Sequence, residues 1–173
     1  SGYDPKKQFQ KLVITGPESY KRTLDYYVWS APQHRIKVKS DTNALGHKTS
    51  YTYYSEIEGG RLKSVTLPEG NGESYKYDDR GNITERRLFS KTNSSLGDTV
   101  ITLTYPTTCS KLQCYRPTAV KDGNGKTTDY TFATHGGMLT KLEPAGQNGQ
   151  RRKTTNTYET VNGLIRLKST TVC

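Results

Sequence analysis

Apolar and polar residues alternate along most of the chain with a period of two. Ile36 and Val38 interleave with Arg35, Lys37 and Lys39, and Ile101, Leu103 and Tyr105 interleave with Thr102 and Thr104. Successive side chains of a strand point to opposite faces, so this spacing predicts half-buried β-strands. No stretch carries the three-to-four spacing of a long amphipathic helix. Turn-forming pairs interrupt the alternation all along the chain: Gly16-Pro17, Gly59-Gly60, Asn71-Gly72, Gly97-Asp98, Asp122-Gly123, Gly136-Gly137 and Asn162-Gly163. Short strands between regular reversals predict an all-β fold, a curved antiparallel sheet of hairpins that forms one domain over 1–173. Only Ser90 to Asp98, with no apolar pattern, reads as a longer loop.

The strands also repeat. An aromatic residue returns at Tyr27, Tyr53, Tyr77, Tyr105, Phe132 and Tyr158, at intervals of 26, 24, 28, 27 and 26 residues. Fixed self-similarity of this kind marks one supersecondary unit copied in tandem. Tyr51 and Tyr53, Tyr75 and Tyr77, and Tyr130 and Phe132 each share a strand face, with Thr52, Lys76 and Thr131 on the other. One face of the sheet is therefore expected to be aromatic, with Tyr27, Tyr53, Tyr75, Tyr77, Tyr105, Tyr130, Phe132 and Tyr158 as its core, and the other polar. Asp79 to Asn82, Asp-Arg-Gly-Asn, supplies residues that accept a reversal and bond their own backbone. Two strands in each of six units would give about twelve strands, whose outermost members leave unpaired backbone groups.

From Gly60 to Glu85 the order Gly-Arg-Leu, Glu69-Gly70-Asn71-Gly72, Tyr75-x-Tyr77-Asp78 and Gly81-Asn82-Ile83-Thr84 resembles the RHS repeat family, also called YD repeats. A second stretch runs from Cys109-Ser110-Lys111-Leu112-Gln113-Cys114 through Arg116-Pro117-Thr118 and Asp122-Gly123-Asn124-Gly125 to His135-Gly136-Gly137 and Glu143-Pro144-Ala145. It is similar to a variant in long secreted bacterial RHS proteins. The other units depart from Tyr-Asp: Tyr54, Pro106, Ala133 and Glu159 follow their aromatics. The first 40 residues fit least. The resemblance implies a segment of an incomplete β-cocoon, part of a larger shell that encloses a polypeptide such as a toxin domain. Its partners would be the rest of the shell, or another protein chain at a sheet edge.

Composition fits this picture. Only 31% of residues are hydrophobic, but thirteen are Tyr, an investment in aromatic burial foreign to a disordered chain. Mean hydropathy is −0.86. No apolar run is long enough for a membrane-spanning helix, and Ser1-Gly2-Tyr3-Asp4 does not open a signal peptide. The spacing of Cys109 and Cys114 suits a small disulfide loop. Two unpaired thiols are an alternative, as is a zinc site, which would need two further ligands. Cys173 is left over, and an oxidising, extracytoplasmic location follows from the disulfide reading.

A net charge of +10 is the strongest argument for a different role. Arg151, Arg152, Lys153, Arg166 and Lys168 face a single acidic residue, Glu159, in the last 23 positions. With tyrosines nearby they could form a secreted module for polysaccharide or nucleic acid; scattered basic residues also blunt sheet edges and keep a polar face soluble. Catalysis finds no foothold. His34, His47 and His135 fall at turns or strand starts, no nucleophile elbow, zinc-protease helix or phosphate loop is present, and Asp78, Asp79 and Asp122 offer too few oxygens for calcium. A non-enzymatic protein without cofactor or metal is the expectation.

Overall fold

The computed structural model describes residues 9–28, 36–55 and 57–173. His34 and Arg35 lie outside them. The fold is all-β: β1 (Phe9–Thr15), β2 (Lys21–Val28), β3 (Ile36–Thr42), β4 (Lys48–Tyr53), β5 (Leu62–Thr66), β6 (Gly72–Tyr77), β7 (Ile83–Phe89), β8 (Thr99–Thr104), β9 (Ala119–Lys121), β10 (Thr127–Phe132), β11 (Met138–Ala145), β12 (Arg151–Val161) and β13 (Leu164–Val172). One 3-10 helix, Lys111–Tyr115, stands between β8 and β9. Thirteen strands therefore replace the expected twelve or so, and their order in the sheet is their order in the chain, from β1 to β13. By backbone proximity the chain divides into two units, residues 1–75 with 88–98, and residues 76–87 with 99–173.

One reversal serves six of the connections. At 43–47, 67–71, 78–82, 122–126, 133–137 and 146–150 the first N–H donates to the fifth carbonyl and the fourth N–H to the first carbonyl, at 2.7 to 3.0 Å. The fourth residue is always glycine, with φ between +77° and +89°. This is the three-residue hairpin loop whose left-handed position glycine fills without steric cost. Between β12 and β13 the chain uses the tighter Asn-Gly turn instead, with Asn162 and Gly163 both at positive φ.

The strands are not regular ladders. Pairing shifts by one residue at Asp25/Tyr26, Thr52/Tyr53, Thr131/Phe132 and Thr157/Tyr158, so that Lys39, Lys63, Leu139 and Lys168 are skipped on the facing strand. Each shift carries a side-chain bond across it: Ser40 Oγ to Asp25 at 2.8 Å, Thr52 to Ser64 at 2.6 Å, Thr131 to Thr140 at 2.7 Å and Thr157 to Ser169 at 2.7 Å. A bulge strengthens local twist and re-aims the next side chain. Here the re-aimed residue is, or directly precedes, a recurring aromatic.

The tyrosine hydroxyls then tie neighbouring strands. Tyr53 Oη donates to the Val38 carbonyl at 3.0 Å, and Tyr158 Oη to the Met138 carbonyl at 2.9 Å. Val38 and Met138 each immediately precede a skipped residue, so the phenol bridges the place where the bulge disturbs the ladder. Tyr53→Phe should cost about 1 kcal/mol in urea unfolding. Tyr158→Phe should cost less, because the Met138 carbonyl also accepts Asn156 Nδ2 at 3.0 Å. Equal losses would mean that the hydroxyls act through something other than these carbonyls.

Packing is shallow in both units. Among the described residues no hydrophobic side chain is buried; the buried polar residues are Ser40 at 1% exposure and Asn82 at 8%. Tyr27, Tyr53, Tyr75, Tyr77, Tyr105, Tyr130, Phe132 and Tyr158 are each half-buried.

Candidate functional site

In the first unit, the rings of Tyr27 and Tyr53 meet edge to face at 6.2 Å. Lys39 stands over Tyr27 at 5.6 Å, Lys37 over Tyr53 at 5.1 Å and Lys63 over Tyr54 at 5.5 Å. Cations over ring faces are attracted by the quadrupole, and their stems cover apolar area while the heads stay wet. Lys37 also donates to the Gly60 carbonyl, Tyr54 Oη to the Tyr75 carbonyl at 2.9 Å, and Tyr75 Oη to Glu73 at 2.5 Å. Burial pushes the Tyr53 phenol above its ordinary pKa. The same unit has an open cavity of about 300 Å3 lined by Tyr20, Arg22, Asp41, Asn43, His47, Thr49 and Pro68. Its charges are satisfied internally: Arg22 grips Asp41 through two bonds of 3.0 and 2.5 Å, which hold the carboxyl below its usual range.

In the second unit Tyr130 and Phe132 stack at 6.2 Å, and His135 meets Tyr158 edge-on at 4.8 Å. Tyr77 is half-buried, as is Tyr105, whose phenol is pushed up first by burial and then by the Asp78 charge.

Cys109 and Cys114 form a disulfide, with Cα atoms 5.3 Å apart. The short loop encloses the start of the 3-10 helix and is docked on both sides. Arg80 donates to Cys109 Sγ at 2.8 Å and to the Pro106 carbonyl at 2.6 Å; Asn82 Nδ2 donates to the Cys114 carbonyl at 3.0 Å. Opposite, Gln113 Nε2 donates to the Phe132 carbonyl at 2.9 Å, and Leu112 lies against Gly136. A cavity of about 220 Å3 remains between Pro106, Cys109, Gln113, Arg116, Tyr130 and Phe132.

The turn that receives this loop is organised by Asp78, not Asp79. Asp78 accepts the Asn82 N–H and the Asn82 side-chain amide, both at 2.8 Å, and lies 3.7 Å from Arg80. Burial opposes its charge, but the Asn82 bonds and Arg80 outweigh it and hold the carboxyl below the ordinary range. A lowered folded pKa means stability present above the unfolded value near 4 and lost as pH falls through the folded value. Acidification should therefore weaken the 78–82 turn. Asp78→Asn should flatten the dependence of stability on pH in that acid range; an unchanged slope would assign it to other carboxylates.

The five basic residues predicted as a surface do not behave alike. Arg151 is a structural clamp: its guanidinium reaches the carbonyls of Glu143 at 2.7 Å, Thr127 at 3.0 Å and Leu142 at 3.0 Å, and the Asp129 carboxylate at 2.7 Å. Arg152, Lys153, Arg166 and Lys168 are exposed, and only Lys168 approaches Glu159, at 3.7 Å. Among the described residues no group of three or more His, Cys, Asp or Glu side chains is placed to hold a metal. No helix of the described residues is long and apolar enough to cross a membrane.

No family model matches the chain, and no curated protein matches it. Among solved structures it is similar to the crystal structure of TcdB2-TccC3 without its hypervariable C-terminal region, with 11% identity over 86% of this chain and a TM-score of 0.32. The chain spans 10% of the length of that protein.

Proposed function

We propose that this chain is a non-catalytic segment of an RHS-type shell, outside the cytoplasm, that encloses or presents a polypeptide such as a toxin domain. The observation that carries this reading is the strand order: antiparallel strands that follow one another in chain order, with no buried hydrophobic side chain among the described residues. A sheet of this kind gains most when something else covers its aromatic face and its edges. The Tyr-Asp and Gly-Asn-Ile-Thr spacing in Gly60 to Glu85 supports the family, and the Cys109–Cys114 disulfide supports an oxidising location. The test is cryo-electron microscopy of the native particle captured with an antibody to this chain. The expected result is these hairpins within a wall around polypeptide density. A solid particle without enclosed density, or the chain alone and monodisperse, would overturn the reading.

A second reading, a secreted module for polysaccharide or nucleic acid, rests on the exposed Arg152, Lys153, Arg166 and Lys168. It predicts binding to heparin or DNA that falls steeply with salt.

A further inference from the structure

We infer that the cavity beneath the Cys109–Cys114 loop is a binding site for a small aromatic carboxylate. The site goes beyond the shell reading and does not depend on it. Its walls come from residues 106–118 and 130–132, all within the second unit. The loop meets β10 and the turn after it at two points. Gln113 Nε2 bonds the Phe132 carbonyl at 2.9 Å, and Leu112 lies so near Gly136 that a Cβ there would stand 3.0 Å from it. Between these contacts and Pro106 the loop leaves an open space of about 220 Å3. Tyr130 and Phe132 line it as a stacked pair, 6.2 Å apart with planes 20° from parallel, and Cys109 brings the disulfide to one side. An apolar cavity of about 150 Å3 admits benzene, so this one has room for a ring with a short substituent. Aromatic walls add a geometric preference for an aromatic partner beyond the area it buries.

Charge selects the substituent. Arg116 lines the cavity, is exposed, and follows the 3-10 helix directly. Its backbone N–H donates to the Gln113 carbonyl at 3.1 Å, which fixes where the side chain departs. Among the described residues the guanidinium has no ion-pair or hydrogen-bond partner, and no acidic residue lines the cavity. Other polar side chains there are already spent: Gln113 on Phe132, Thr118 on the Thr104 carbonyl at 3.2 Å and Thr131 on Thr140 at 2.7 Å. A neutral polyol would therefore find few donors and acceptors, and a polyphosphate would carry more charge than one arginine balances. A single carboxylate matches the planar guanidinium through two parallel bonds. The ligand is one flat apolar ring with one carboxylate on a short arm.

The probe is phenylacetate, titrated into the isotope-labelled chain and followed by amide chemical shifts. Phenylacetamide, which keeps the ring and loses the charge, and acetate, which keeps the charge and loses the ring, are the controls. Phenylacetate should give saturable shifts confined to 106–118 and 130–132, with a dissociation constant on the order of 1 mM. Each control should bind about tenfold more weakly. Arg116→Gln should weaken phenylacetate about tenfold and leave phenylacetamide unchanged, so that acid and amide then bind alike. Replacing Cys109 and Cys114 together by serine should abolish phenylacetate binding, with the unshifted amides of β12 and β13 confirming that the sheet persists. Shifts scattered over the chain, equal binding of acid and amide to the unaltered protein, or full phenylacetate affinity after Arg116→Gln would overturn the inference.

Discussion

Replacing Gly72 by alanine should be the most damaging single substitution in the first unit. Gly72 opens β6 opposite Thr66. A Cβ there would lie 2.0 Å from the Val65 carbonyl oxygen and 2.8 Å from the Phe89 ring, distances no real methyl tolerates. The obstacle is backbone, so relief requires β5 and β6 to separate. We expect a loss of about 3 kcal/mol in urea unfolding. The comparator is Gly70→Ala, two residues away, where the added methyl meets nothing closer than Thr92 at 3.6 Å but φ is +85°. That change should cost about 1 kcal/mol, the penalty of a left-handed alanine. Equal unfolding midpoints would show that strand approach at Gly72 is looser than these distances imply.

The second large effect should come from the disulfide. Replacing Cys109 and Cys114 by serine, or reducing the pair, releases a loop of six residues. On the chain-entropy account this costs about 2 kcal/mol. The loss should also have an address. The loop holds Asn82 through the Cys114 carbonyl and β10 through Gln113, so amide exchange should quicken at 78–82 and around Phe132. β1 to β4 belong to the other unit and should be unaffected. Uniform acceleration across the chain, or none, would mean that the loop is not a local clamp.

Much of the fold was legible because alternation and glycine spacing are strictly local signals. Antiparallel hairpins follow from them directly, and of the readings that the Cys109–Cys114 spacing left open the disulfide is the one that forms. Four features were not legible. The left-handed turn positions fall at Gly70 and Gly125, whereas the pattern drew attention to Asn71-Gly72 and Asp122-Gly123; hydrogen-bond closure, not composition, decides which glycine reverses. The bulges beside Tyr53, Phe132 and Tyr158 are invisible to a period-two reading, which assumes that every residue has a partner. A Thr directly before each of these aromatics is the trace they leave in the sequence. Finally, Arg151 reads as surface charge in a basic run, and only geometry supplies the carbonyls and carboxylate that employ it. The 3-10 helix inside the disulfide loop left no apolar period because it is too short to have one.

That strand order equals chain order bears on how such a molecule comes apart. Each seam is stitched between segments close in sequence, so little loop entropy opposes forming any one of them, and assembly can start at any hairpin. With no central nucleus shared by all strands, damage stays near where it falls. Loss proceeds inward from frayed margins, and whatever caps a margin governs the lifetime of everything behind it.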